Sequence, residues 1–140
     1  MLEPSGHTML VLDQDTIGDL LKFVLERRCG DRVIKGGSGG YALELCQEDP
    51  PDAIWTYYFL GDMNAWDFAR QLRTTPGIEH IPLLVWSANP ALGWLASLYE
   101  AGVTAHLLEP FQPVELLLAR DALLAGQQYG FERLLSPPEE

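Results

Sequence analysis

The sequence predicts an α/β domain in which a parallel sheet of five strands is covered by helices on both faces. Five short apolar runs alternate with five segments of helical periodicity, which is typical of strand–helix–strand units with right-handed crossovers. The chain has 140 residues, and 47% of them are hydrophobic. That length and composition supply one core and leave no room for a second folded domain.

The first half of the chain contains three predicted strands and two predicted helices. A helix follows the first strand because Ile17, Leu21 and Val24 recur at helical spacing. Gly30 is expected to end this helix, since glycine readily adopts the conformation of a C-terminal cap. In order, we expect a strand at 8–12, a helix from 17 to the stop at 30, a strand at 32–35, a helix at 41–48 and a strand at 53–60.

The second half repeats the alternation. Ala65, Phe68 and Leu72 form one apolar stripe that should cover the sheet, and Pro113 suits the first turn of a last helix. We expect a helix at 63–73, a strand at 81–86, a helix at 92–101, a strand at 103–108 and a helix at 113–124. The domain therefore covers residues 8–125, and residues 126–140 form a C-terminal tail.

Charge and composition restrict the function classes. Asp and Glu number 20 against 9 Lys and Arg, a formal charge of -11 that repels nucleic acid and anionic membranes. The N-terminus has no signal-peptide pattern and no apolar stretch approaches the ~20 residues of a membrane span, so we expect a cytoplasmic location. Cys29 and Cys46 lie on separate predicted helices and are interpreted as small buried side chains without a disulfide.

In a parallel α/β sheet, the loops at the carboxyl ends of the strands form the functional crevice. The glycine-rich run at 35–40 lacks the Lys-Ser/Thr ending of a P-loop, so it is interpreted as a flexible turn. Flavin binding is disfavoured because the first loop carries acids instead of anion-binding groups. His7, His80 and His106 are scattered along the chain and support no Ser-His-Asp arrangement.

Five phrases occur in order along the chain: LVLD at 10–13, GGYALEL at 39–45, MNAWDF at 63–68, IPLLVWSA at 81–88 and PFQPVELL at 110–117. In that order and spacing they resemble the response-regulator receiver family, the CheY-like domains, across nearly the whole predicted domain. The resemblance implies a flavodoxin-like three-layer sandwich with strand order 2-1-3-4-5 and five helices. It also implies a role in two-component signal transduction.

Family receivers accept a phosphoryl group on an aspartate after the third strand, with Mg²⁺ held by two acids and a lysine near the phosphoryl oxygens. Carried onto this sequence, the corresponding positions are Asp13, Gln14, Tyr57, Ser87 and Glu109. Tyr57 is not a carboxylate, and the neutral amide of Gln14 is a poor ligand for Mg²⁺. Glu109 reverses the charge of the lysine. The resemblance therefore implies a pseudo-receiver that lacks aspartyl phosphorylation and needs no Mg²⁺.

We therefore expect a non-enzymatic module that binds a signalling protein or forms a homodimer. The resemblance implies that the face of the fourth helix, fifth strand and fifth helix is used for this contact. Trp94, Leu98 and Tyr99 supply apolar side chains on that helix. His106 lies where the family has a mobile, switch-like aromatic residue, and we interpret it as a half-buried packing residue.

Other functions stay open from the sequence alone. A phosphorelay receiver with a non-standard acceptor or metal is one, although Asp52 and Asp62 each lie five residues from Tyr57. Asp13 and Glu109 are expected to approach each other across the crevice, which makes them a weak candidate for a cation site. A small-ligand sensor that uses the same crevice is the other alternative.

Overall fold

The computed structural model describes residues 6–13, 16–88 and 92–132. Five strands form the sheet: β1 Thr8–Leu12, β2 Arg32–Gly36, β3 Ala53–Tyr57, β4 Leu83–Ala88 and β5 Ala105–Glu109. Five helices connect or follow them: α1 Thr16–Cys29, α2 Gly39–Glu48, α3 Ala65–Thr74, α4 Leu92–Glu100 and α5 Pro113–Leu124. All neighbouring strands are parallel, in the order β2-β1-β3-β4-β5. The predicted flavodoxin-like sandwich is confirmed.

Two apolar layers hold the sandwich together, one on each face of the sheet. On one face, alternate strand residues such as Trp55 and Trp86 pack against α1 and α5. On the other face, residues such as Ile54 and Val85 pack against α2, α3 and α4. The three inner strands, β1, β3 and β4, are almost fully buried on both faces, as their near-continuous apolar runs predict.

The third strand ends earlier than predicted, at Tyr57 instead of residue 60. Tyr58 still donates its backbone N–H to the Trp86 carbonyl, 3.1 Å away. Phe59 then pairs with Asn64 in an isolated antiparallel bridge, so the chain turns back at this point. Asn64 begins α3 by accepting a hydrogen bond of 2.8 Å from the Asp67 N–H, which explains why the helix starts two residues later than expected.

A buried ion pair joins the start of β2 to the last helix. Arg120 donates to both carboxylate oxygens of Asp31, at 2.7 and 2.8 Å, and the Asp31 side chain is fully buried. This bidentate geometry fixes α5 against the α1–β2 turn. Cys29, at the end of α1, was expected to be buried but is only half-buried. Cys46 is buried in the core, as expected. Neither cysteine forms a disulfide.

The chain continues past α5 and returns to the sheet. Tyr129 forms a parallel bridge with Ala105 of β5, and Phe131 is buried in the same apolar layer as α4. Tyr129 and Phe131 of the predicted tail therefore pack on the domain. Residues 133–140 of the predicted tail lie outside the described part of the chain. Among the helices described, none is long and apolar enough to cross a lipid bilayer.

Candidate functional site

The sheet brings the ends of β1 and β3 to the same level. Leu12 is paired with Thr56, so the next residues along each strand, Asp13 and Tyr57, emerge side by side. Tyr57 is also paired with Trp86 of β4. Asp13 and Tyr57 therefore lie where the family resemblance places the first acid and the phosphoryl acceptor. Gln14, the other position in the first loop, lies outside the described residues.

Asp13 is buried and is engaged with the backbone of α1. Its Oδ2 atom accepts a hydrogen bond of 2.5 Å from the Gly18 N–H, in the first turn of the helix. The first N–H groups of a helix have no partner within the helix, and they favour a negative charge. The Asp13 carboxylate therefore serves as an acceptor for the start of α1.

A lysine that the sequence interpretation did not assign lies next to this carboxylate. A Cβ atom added to Gly18 would lie 2.8 Å from Asp13 Oδ2 and 2.9 Å from Lys35 Nζ. Lys35 also donates a hydrogen bond of 3.0 Å to Asp19 Oδ1. The sequence contained a signal for this lysine, because Lys35 ends the predicted second strand and that strand neighbours the first in the strand order that the resemblance implies.

Tyr57 belongs to a group of aromatic rings that crosses the end of the sheet. Its ring centroid lies 5.9 Å from that of Trp86 and 5.9 Å from that of Phe59. Phe59 is exposed and contacts Tyr58, whose ring centroid lies 4.1 Å from that of Trp94 on α4. The half-buried Tyr57 side chain therefore packs among aromatic rings.

The two aspartates nearest to Tyr57 in the sequence lie elsewhere in the fold. Asp52 accepts a hydrogen bond of 2.7 Å from the Thr8 N–H, at the opposite end of the sheet. Asp62 accepts from the N–H groups of Gly39 and Gly40 at 3.0 Å each, which lowers the pKa of its carboxyl and fixes the start of α2. Neither aspartate occupies the end of β3.

Ser87 and His106 form a buried polar pair between β4 and β5. Ser87 Oγ and His106 Nε2 share a hydrogen bond of 2.7 Å. His106 is only 4% exposed, so it is more deeply buried than the half-buried packing residue expected from the sequence. Burial lowers the pKa of His106 to about 4, so the imidazole is neutral at neutral pH. Ser87 is therefore turned towards the interior.

Glu109 lies at the end of β5, beside Ala88 of β4, and lines a groove of about 460 Å³. The other lining residues are apolar: Ile17, Leu20, Ala88, Pro110 and Phe111. The predicted approach of Asp13 to Glu109 stays a prediction. Within the described residues, no group of three or more His, Cys, Asp or Glu side chains is arranged to hold a metal ion.

The predicted partner residues of α4 are not presented as one exposed surface. Leu98 is fully buried because helical periodicity places it on the core side of α4, so it cannot be a partner contact. Trp94 is half-buried against Tyr58, and Tyr99 is half-buried against Phe131 at a ring-centroid distance of 5.3 Å. The apolar residues of α4 mainly contact this chain.

Comparison with known proteins gives close structural matches, although no family profile matches the chain. A crystal structure described as a response regulator from Chloroflexus aurantiacus J-10-fl is 30% identical with a TM-score of 0.80, covering 86% of this chain and 99% of that one. The chemotaxis response regulator CheY4 of Vibrio cholerae has a TM-score of 0.77 at 20% identity, covering 85% of this chain and 99% of that one.

Curated relatives include the transcriptional regulatory protein SrrA of Staphylococcus aureus. It is 29% identical over 126 residues, which cover 89% of this chain and 50% of the relative. The chain thus spans about half the length of the curated relatives it matches. A solved response regulator is 30% identical to this chain and is covered over nearly its full length. The strand order of this chain is also the one that the family resemblance implies. The chain therefore belongs to the response-regulator receiver family of two-component signalling.

Proposed function

We propose that this receiver domain works in the cytoplasm without aspartyl phosphorylation and acts by binding another protein. The observation that carries the proposal is Tyr57 at the carboxyl end of β3, the position of the phosphoryl acceptor in the family. A phenol has a pKa near ~10 and cannot form an acyl phosphate as a carboxylate does. The two nearby aspartates, Asp52 and Asp62, support the start of other elements.

The charges around Tyr57 support the same proposal. Phosphoryl transfer needs positive charge where negative charge develops, and β5 ends in Glu109 instead of a lysine. Asp13 accepts from the Gly18 N–H and has the Lys35 ammonium close by. The positive charge is thus on the β2 side of the crevice, whereas the family lysine follows β5. We therefore propose that the domain is not an enzyme and that Mg²⁺ is not required.

The surface proposed for the partner lies on β5 and α5. Leu108 of β5 and Val114 and Leu118 of α5 are exposed, by 42%, 59% and 54% respectively. Val114 and Leu118 are four residues apart, so they lie on the same face of the helix. Exposed apolar side chains of this size favour a protein contact, and they keep the contact on the face that the family resemblance implies.

Treatment with acetyl phosphate and Mg²⁺ tests the first part of the proposal. We expect the intact mass of the chain to stay unchanged, because no carboxylate lies at the acceptor position. A relative that has an aspartate at this position, treated in parallel, shows that the reagent is active. A stable gain of one phosphoryl group by this chain would refute phosphorylation independence.

A pull-down with matched variants tests the second part. Val114→Lys with Leu118→Lys should abolish retention of the partner from native extract, because both charges enter the proposed surface. Leu20→Lys with Phe23→Lys is the control, since these α1 residues are exposed to a similar extent, 48% and 57%. The proposal predicts that the control retains the partner, with or without acetyl phosphate. Equal retention by both variants would contradict the proposed surface.

A second candidate function rests on the groove beside Glu109. Its volume of about 460 Å³ is in the range of small-ligand pockets, and its apolar walls have one carboxylate at the edge. That chemistry suits a small amine with an apolar body. In a thermal-shift screen, a primary alkylamine should then raise the unfolding temperature of the protein but not that of its Glu109→Gln variant. No shift for the unmodified protein would remove this candidate.

A further inference from the structure

The outer edge of β5 is covered by the chain's own C-terminal segment, which we define as residues 127–132. The His106 N–H donates to the Tyr129 carbonyl at 2.8 Å, and the Tyr129 N–H points to the Thr104 carbonyl at 3.4 Å. Tyr129 thereby forms a parallel bridge with Ala105. An edge strand normally presents unpaired backbone groups to solvent. Here the C-terminal segment pairs with part of that edge.

Phe131 anchors the C-terminal segment in the core. It is only 1% exposed and lies in the apolar layer between the sheet and α4. Its ring centroid is 5.3 Å from that of Tyr99 and 6.4 Å from that of His106. The segment therefore contributes a core side chain directly beside the buried imidazole. Without Phe131, this side of the imidazole would lose its apolar cover.

Gly130 allows the close approach between the C-terminal segment and β5. Its φ of +86° lies in the region that favours glycine. A Cβ atom at this position would overlap the His106 carbonyl oxygen and would lie 3.1 Å from the His106 nitrogen. These neighbours are backbone atoms of a strand and cannot move aside as a flexible side chain can. A side chain at residue 130 must therefore displace the C-terminal segment.

We propose that the C-terminal segment is an intramolecular lock, which holds the His106 side chain on Ser87 and pairs with the outer edge of β5 at residues 104–106. The pairing at Tyr129 fixes the backbone of His106, and the buried Phe131 ring lies beside the imidazole. The ring is then held at 2.7 Å from Ser87 Oγ. The position of this residue is set by the chain's own C-terminal segment, whatever happens at Tyr57. The lock does not depend on the proposed function.

Backbone amide hydrogen exchange on the full chain tests the lock. Gly130→Ala should accelerate exchange of the His106 amide by about tenfold or more, because its hydrogen bond to Tyr129 opens locally. Amides of the inner strand β1 should keep their exchange rates. Gly126→Ala is the matched control: Gly126 also has a positive φ, of +70°, but a Cβ there meets no atom within 4 Å. Exchange at His106 as slow in Gly130→Ala as in Gly126→Ala would overturn the lock.

A second variant keeps the proposal testable if Gly130→Ala destabilises the whole domain. Phe131→Ala leaves the backbone conformation allowed and removes only the anchor. The lock predicts faster exchange at His106 with unchanged exchange in β1. If His106 and β1 amides accelerate together, the segment is an ordinary part of one cooperative core and the lock is wrong. No acceleration at either site would also refute it.

Discussion

The two halves of the crevice keep their polar side chains in opposite environments. On the β1–β2 side, the Asp13 carboxylate accepts from the Gly18 N–H, with the ammonium group of Lys35 close by. On the β4–β5 side, Ser87 and His106 form a neutral hydrogen-bonded pair that is almost fully buried. The first, the charged half, is therefore open to solvent at Lys35 and Asp19, and the second, the dry half, is neutral and buried.

The difference shows two ways of satisfying polar groups at the end of a parallel sheet. In the charged half, the Gly18 N–H in the first turn of α1 satisfies Asp13, and Lys35 pairs with Asp19. In the dry half, burial keeps the imidazole of His106 neutral, and one hydrogen bond satisfies its Nε2 atom. In both halves, these polar side chains form hydrogen bonds within the chain.

The largest expected effect is the pH dependence of the dry half. Burial lowers the pKa of His106 from 6.5 to about 4, so the unfolded chain binds this proton more readily than the folded chain. The contribution of His106 to stability is then complete above the unfolded pKa and is lost as the pH falls towards the folded pKa. When the pH falls from about 7.5 to about 5, the loss of this contribution should lower the free energy of unfolding by about 2 kcal/mol.

Urea unfolding at the two pH values measures this loss. Carboxylates also titrate in an acidic protein, so the His106→Gln variant provides the reference. The unmodified chain should lose more stability than this variant, by the amount given above. Equal losses in the two proteins would show that burial does not lower the pKa of His106. The description of this half as dry would then be wrong.

A smaller effect is expected from crowding the charged half. Gly18→Ala should lower the free energy of unfolding by about 1 kcal/mol, because the added methyl meets both Asp13 and Lys35 while alanine itself favours the helix. The control is Gly93→Ala in α4, where an added Cβ meets no atom within 4 Å. That change should raise stability by up to about 1 kcal/mol. Stabilisation by both substitutions would contradict the close approach at Gly18.

The smallest effect is expected from the ion pair at the rim. Lys35→Met should change the free energy of unfolding by less than about 0.5 kcal/mol, because the Asp19 side chain is 76% exposed and water screens the pair. A double-mutant cycle with Asp19→Asn gives the coupling between the two side chains. A coupling above about 1 kcal/mol would place Lys35 in a drier environment than the structure indicates.

The sequence predicted the sheet and its helices well because their signals are local. The apolar run of β1 and the proline-led α5 were found with the same bounds as in the structure. The end of β3 was predicted too late, since Tyr58 and Phe59 are typical of strands but turn back through the bridge to Asn64.

The contacts at the site were harder to predict because they join distant parts of the chain. Lys35 lies near Asp13 because β2 and β1 are neighbours in the sheet, although the two residues are far apart in the sequence. The cover over His106 comes from Phe131, and the local sequence there has no strand or helix periodicity. Leu98 was assigned to the surface because the α4 sequence is apolar nearly all round, so its pattern does not identify the buried face.

The most direct test of the central claim is a titration of the labelled protein with Mg²⁺ and beryllofluoride, which mimics a phosphoryl group on a receiver aspartate. Backbone amide spectra report on the positions at the ends of β3, β4 and β5. We expect no saturable shift at Tyr57, Ser87 or His106, because no carboxylate lies at the end of β3 to complete the site. A saturable shift at these amides would show that the crevice still binds the phosphoryl mimic, and the proposed independence of phosphorylation would be wrong.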